Sequence, residues 1–291
     1  MRSSVGASGS ARTAGLTAAL LLAAACGVPG SGLPGADGTP ATTHEVLPGV
    51  GVEVVEPATG PPAAVVVLVP GGGWTSADPA GMVPLAEHLA TSGALVVLGT
   101  YRTAGDGAFF PRPVQDVGCV AAFAADLAAD LATEGGAEGA ELVLLGHSAG
   151  AQLAAVVALD PGVAADPACP YPPAAADRLV GLAGPYDVVA AADQAWYLFG
   201  PDTPDPDDWD AGDPVALAGR RPELPVLLVH GSADTVVPLT ATYTFWQALR
   251  AGGHTVDIAY PDGADHHTVY SADVAAPVVE EWLGLGVGAR G

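Results

Sequence analysis

The chain has 291 residues, of which 50% are hydrophobic, and a formal net charge of −23 at pH 7. That length and apolar content are enough for one large domain with a sizeable core. Nine arginines and no lysine stand against 32 acidic residues, which argues against phosphate neutralisation and hence against nucleic acid as a partner. The acidity reads instead as a solvated, self-repelling surface.

Residues 1–26 read as an export signal. Arg2 and Arg12 supply positive charge, and residues 16–25 form an apolar stretch too short to span a bilayer. Ala23-Ala24-Ala25 before Cys26-Gly27 resembles a bacterial lipoprotein signal, in which the cysteine is lipidated and becomes the new N-terminus. The alternative is an ordinary cleaved secretory signal. Lipidation of Cys26 implies an extracytoplasmic protein attached to the membrane. Residues 27–41, rich in Gly and Pro, read as a flexible linker, and residues 42–291 as the folded domain.

Within that domain, residues 46–56 suggest an opening strand pair or hairpin. Residues 63–69 form a continuous apolar strand that ends in Pro70-Gly71-Gly72-Gly73-Trp74. A helix is expected over 79–92, a strand over 94–98 and a helix over 114–133. Residues 142–145 form another apolar strand. It runs into Gly146-His147-Ser148-Ala149-Gly150 and a buried helix at 151–159. Residues 179–182 form a short strand leading to Tyr186-Asp187. Residues 190–225 are irregular and rich in Pro and Asp. They carry Trp196, Phe199 and Trp209, and read as a short lid or pocket wall. Residues 226–229 form a strand entering the loop that holds Asp234. A helix (240–251), a strand (255–260), the loop Asp265-His266-His267 and a helix (272–283) follow. Uninterrupted apolar strands alternating with helices indicate an α/β fold: a mostly parallel, doubly wound sheet with helices on both faces.

The chemistry gathers at three loops. A strand, sharp turn and helix around Ser148 would expose its hydroxyl on a strained turn. A serine hydroxyl attacks only when an imidazole takes its proton, and the imidazole needs a carboxylate to fix its tautomer. His266 and Asp234 fill these roles, with His267 the alternative base and Asp187 the alternative acid. Asp265 reads as a loop hydrogen-bonding residue. The order Ser148, Asp234, His266 is the one expected of an α/β-hydrolase. Backbone N–H groups of the glycine triplet, with that of Ala149, are candidates for an oxyanion hole. Trp74, Tyr186 and Trp209 are candidates for the substrate pocket. The adjacent histidines make poor metal ligands and the glycine triplet lacks a following Lys-Ser/Thr, so neither a metal nor a nucleotide cofactor is expected.

On these residues the chain resembles the secreted branch of the α/β-hydrolase fold-3 and formamidase/feruloyl-esterase-like group, over about residues 46–283. Pro70 to Trp74 corresponds to a His-Gly-Gly-x-Trp motif, Tyr101-Arg102 to a tyrosine-arginine strand end, and Phe110-Pro111 to Asp116 to a helix entry. The resemblance implies Gly72, Gly73 and Ala149 as oxyanion donors, with Pro70 a departure from the family's histidine. It implies hydrolysis of carboxylic esters through an acyl-enzyme on Ser148, and the lack of a long cap segment favours small or short-acyl esters. The alternatives are an arylformamidase-like amide hydrolase or a catalytically inactive binding protein on the same scaffold. Export into an oxidising compartment further suggests that the two remaining cysteines, Cys119 and Cys169, form a disulfide rather than two free thiols.

Overall fold

A computed structural model describes residues 41–133, 139–201 and 205–286. The expected signal, the lipidation residue Cys26 and nearly all of the linker lie outside the described residues.

Eight strands build one sheet: β1 (Ala41–Leu47), β2 (Val50–Val55), β3 (Ala64–Val69), β4 (Ala94–Gly99), β5 (Glu141–His147), β6 (Arg178–Leu182), β7 (Val226–Val229) and β8 (Val256–Ala259). Their order is β1-β2-β4-β3-β5-β6-β7-β8. β1 and β2 pair antiparallel, and β2 joins β4 antiparallel. The remaining neighbours, β4 through β8, are all parallel. Every residue of β3 and β4 is buried, as a parallel sheet covered on both faces requires.

Because side chains alternate across a strand, β3 feeds two separate cores. Val65, Val67 and Val69 point to one face, and Val66 and Leu68 to the other. Helices α1 (Val83–Thr91) and α8 (Ala272–Leu283) cover the second face through Leu85, Leu89, Ala275, Ala276 and Val279. Helices α2 (Arg112–Thr133), α3 (Ala149–Leu159) and α7 (Leu239–Gly252) cover the first. All eleven residues of α3 are buried, and Gln152 is its one polar side chain.

The helix expected over 79–92 is divided: a 3₁₀ turn at Ala80–Met82 precedes α1. Residues 190–225 are not irregular throughout, which corrects the expectation. Three short helices lie there, α4 (Ala192–Phe199), α5 (Pro206–Gly212) and α6 (Pro214–Leu217). Two of them open on an Asp-Pro pair. Asp205 accepts from the Asp207 N–H and Asp213 from the Val215 N–H, with proline at the first helical position. Proline lacks only an N–H that has no partner there, so Asp-Pro starts a helix instead of breaking one.

The expected disulfide is present. Cys119 of α2 and Cys169 are bonded, with Cα atoms 5.6 Å apart and a sequence separation of 50.

Candidate active site

The chain leaves β3 to form β4 on one side, then returns to form β5 on the other. β3 and β5 are thus neighbours whose connections depart in opposite directions, and a crevice opens at their carboxyl ends. Val69 and Gly146 pair on the last rung. The glycine loop after β3 and the turn after β5 therefore emerge side by side.

Ser148 sits on that turn with φ 53° and ψ −125°. The turn is tight enough to require its flanking glycines. A Cβ on Gly146 would lie 2.3 Å from the Gly150 carbonyl oxygen, and one on Gly150 would lie 2.3 Å from that of Val69. Ser148 donates its backbone N–H to the Leu182 carbonyl of β6, which fixes the strained residue from behind.

His266 reaches the turn from the loop after β8. Its Nε2 lies 2.9 Å from Ser148 Oγ and its Nδ1 2.7 Å from Asp234 Oδ2. Asp234 lies in the loop after β7. Its Oδ1 accepts from the N–H groups of Val236 (2.8 Å) and Val237 (2.9 Å). Burial acts to raise the Asp234 carboxyl, but the hydrogen bonds from His266 and from these two N–H groups outweigh it and hold it below the ordinary value. An ionised carboxylate can only accept, so His266 carries its proton on Nδ1. Its Nε2 lone pair then faces the serine hydroxyl.

A second histidine serves the same carboxylate. His230 is fully buried; its Nε2 lies 3.0 Å from the Val237 carbonyl and 3.3 Å from Asp234 Oδ2, and its Nδ1 lies 2.7 Å from Thr242 Oγ1. Both partners of Nε2 are acceptors, so Nε2 donates and Nδ1 accepts the threonine proton. Burial lowers its pKa and keeps the ring neutral.

Three residues weighed for the same roles sit elsewhere. His267 is exposed at the cleft rim, its ring edge-on to that of His266 at 5.6 Å. Asp187 caps a local turn by accepting from the Ala190 N–H. Asp265 accepts from the N–H groups of His267 and Thr268 within its own loop.

The glycine loop bends at Gly72, whose carbonyl accepts from the N–H groups of Thr75 and Ser76. Gly72, Gly73 and Ala149 line the same cleft as Ser148 and His266. Among the described residues the N–H groups of Gly72 and Gly73 find no acceptor. Ala149 is the first residue of α3, where the N–H has no partner within the helix. Pro70 brings no side-chain donor, but its carbonyl accepts from Tyr101 Oη at 3.1 Å. The neighbouring Arg102 is bonded to the buried Asp116 of α2 through its Nε, its Nη2 and its backbone N–H. The Tyr101-Arg102 pair thus ties the glycine loop to β4 and α2.

The cleft has a volume of about 450 Å³. Of the expected pocket aromatics only Trp74 reaches it. Trp74 is itself buried, with φ 59°, and donates to Gln152 of α3 at 2.9 Å, so it acts as a pillar of the wall. Tyr186 and Trp209 do not line the cleft. Tyr186 is fully buried and stacks on Phe245 of α7, and Trp209 packs on Phe199 of α4. Pro185, Gln194, Val236 and Tyr270 stand in their place. Among the described residues there is no group of three His, Cys, Asp or Glu side chains able to hold a metal ion.

Sheet order, the strained turn after β5 and the loops after β7 and β8 together define the α/β-hydrolase fold. A family model described as BD-FAE matches residues 53–249, more than half of the chain, and the chain belongs to that family. No curated protein matches it. Three solved structures illustrate the shared fold. A truncated carbohydrate esterase from gut microbiota is 17% identical with a TM-score of 0.68, over 80% of this chain and 89% of its own. An esterase from Thermogutta terrifontis, solved with propionate bound, is 20% identical with a TM-score of 0.66, over 85% of this chain and 94% of its own. An acetyl ester-xyloside bifunctional hydrolase from Caldicellulosiruptor lactoaceticus is 20% identical with a TM-score of 0.64, over 82% and 89%.

Proposed function

We propose that this protein is a serine carboxylic-ester hydrolase acting on small or short-acyl esters. The observation that carries the reading is the continuous hydrogen-bonded chain Ser148–His266–Asp234 at the floor of an open cleft. Ser148 Oγ attacks the ester carbonyl carbon while His266 Nε2 takes the hydroxyl proton. The carbonyl oxygen becomes an oxyanion facing the unpaired N–H groups of Gly72, Gly73 and Ala149. The imidazolium, stabilised by Asp234, returns its proton to the alcohol oxygen, the C–O bond breaks and the alcohol leaves. Water then attacks the acyl-enzyme with His266 again as base, releasing the acid and restoring Ser148.

The substrate class follows from the walls. A cleft of about 450 Å³ suits a small ester. Its lining holds no arginine and includes Asp78, so neutral esters are favoured over anionic ones. The likeness in fold to a carbohydrate esterase and to an acetyl ester-xyloside hydrolase is consistent with short acyl groups. The inactive-scaffold alternative drew on Pro70, and the Tyr101 bond to that residue's carbonyl supplies the loop anchorage its side chain cannot.

A fluorophosphonate probe tests the nucleophile. The wild type is expected to be labelled and Ser148→Ala not, with p-nitrophenyl acetate turnover falling by on the order of 10⁵-fold in the variant. A Ser148→Ala protein with near-native turnover would rule the assignment out. We further propose export and lipidation at Cys26. The Cys119–Cys169 disulfide supports export, since such bonds persist in oxidising compartments. Cys26→Ser should move the protein from the membrane to the soluble fraction.

A further inference from the structure

His147 has no part in the chemistry just described, yet it touches three of the four loops that carry it. It is the last residue of β5, directly before Ser148, and only 6% exposed. Its Nε2 lies 2.9 Å from the backbone carbonyl oxygen of His266. A carbonyl can only accept, so Nε2 carries the proton and donates it. The ring packs on that of Tyr270 at 4.3 Å and on that of His266 at 4.8 Å. Its Nδ1 adjoins the glycine loop: a Cβ on Gly71 would lie 2.9 Å from that atom. One side chain therefore spans the nucleophile turn, the base loop and the oxyanion loop.

We propose that His147 is a positioning residue that sets the Ser148–His266 distance by holding the main chain of the base. The inference rests on the ester-hydrolase reading. His266 rides on a loop beyond β8, whose closing residues Ile258 and Ala259 are only partly buried, so the sheet edge alone constrains it weakly. His147 stands on β5, buried along nearly its whole length. The Nε2–H bond ties the loop-borne partner of the catalytic pair to the strand-borne one. Proton transfer to His266 further requires that the His147 ring be neutral, because a second cation beside the imidazolium of His266 would oppose it. Burial, and next the charges of His266 and His267, push the His147 pKa down to about 3, which keeps that condition met.

Two variants separate positioning from simple filling. His147→Phe preserves the ring against Tyr270 but cannot donate. His147→Gln offers an amide N–H to the same carbonyl. With p-nitrophenyl acetate, His147→Phe is expected to lower kcat by about 10- to 100-fold with KM within about twofold, since a small misplacement of the base acts on the transition state and not on binding. His147→Gln should recover most of that loss. Should the phenylalanine not be accommodated, His147→Leu, which also lacks the donor, takes its place. Undiminished kcat in the donor-less variant, or equal loss in both variants, would overturn the proposal. A wild type that neither reacts with fluorophosphonate nor cleaves any ester would instead overturn the ester reading, and the role of His147 with it.

Discussion

At the scale of single residues, two neighbouring histidines meet different fates because a tight loop turns them apart. His266 is buried between Ser148 and Asp234, while His267 faces the solvent at the rim. His266→Ala should therefore reduce kcat by several orders of magnitude, and His267→Ala by no more than about tenfold. Equal losses, measured by steady-state kinetics, would show that the base is misassigned. The carboxylates make a parallel pair. Asp234→Asn removes the group that holds the His266 proton on Nδ1 and should cut turnover by on the order of 10⁴-fold. Asp187→Asn breaks only a local cap and should leave turnover near that of the wild type. The order of Ser, Asp and His along the chain, each placed after a strand, was legible in the sequence. The aromatic pocket was not. Tyr186 lies next to Asp187 in a loop expected to face the substrate, but its ring turns inward to stack on Phe245. Which way a ring turns depends on partners far away in sequence.

At the scale of elements, buried parallel strands were easy to read because their apolar runs have no other explanation, and β3 and β5 match their expected spans within a residue or two. The segment after β6 reads as irregular in sequence because proline is common both in breaks and at helix starts. Asp205-Pro206 and Asp213-Pro214 are instead helix starts, and only the capping geometry distinguishes the two. The His147 tie was invisible for a different reason, since 119 residues separate it from His266. The disulfide joins α2 to the loop after α3, away from Ser148. Closing a fifty-residue loop restricts the unfolded chain by about 4 kcal/mol. The double variant Cys119→Ser/Cys169→Ser should melt about 10 °C lower, by calorimetry, while its initial rate at 25 °C stays the same. A loss of initial rate without a fall in melting temperature would mean that the bond serves the site and not the fold.

At the scale of the whole molecule, the buried histidines impose a dependence of stability on pH. The folded state keeps His147 neutral down to about pH 3, whereas the unfolded chain protonates it near the ordinary histidine value of about 6.5. Its contribution is therefore fully present above pH 6.5 and is lost as pH falls towards 3. His230, lowered by burial, acts in the same direction. Asp213, pushed up to about 6 by burial, opposes them, since the folded state takes up its proton before the unfolded chain does. Urea midpoints between pH 6.5 and 4.5 should consequently fall more steeply for the wild type than for His147→Phe, and parallel slopes would show that His147 does not contribute. The Cys119–Cys169 bond has one more consequence. The stretch it closes contains β5, Ser148 and α3. A protease that nicks the chain once between the two cysteines leaves both fragments covalently joined, with the nucleophile still tethered beside its base. The chain can thus be clipped in that stretch without coming apart, and the clip becomes visible on a gel only after reduction.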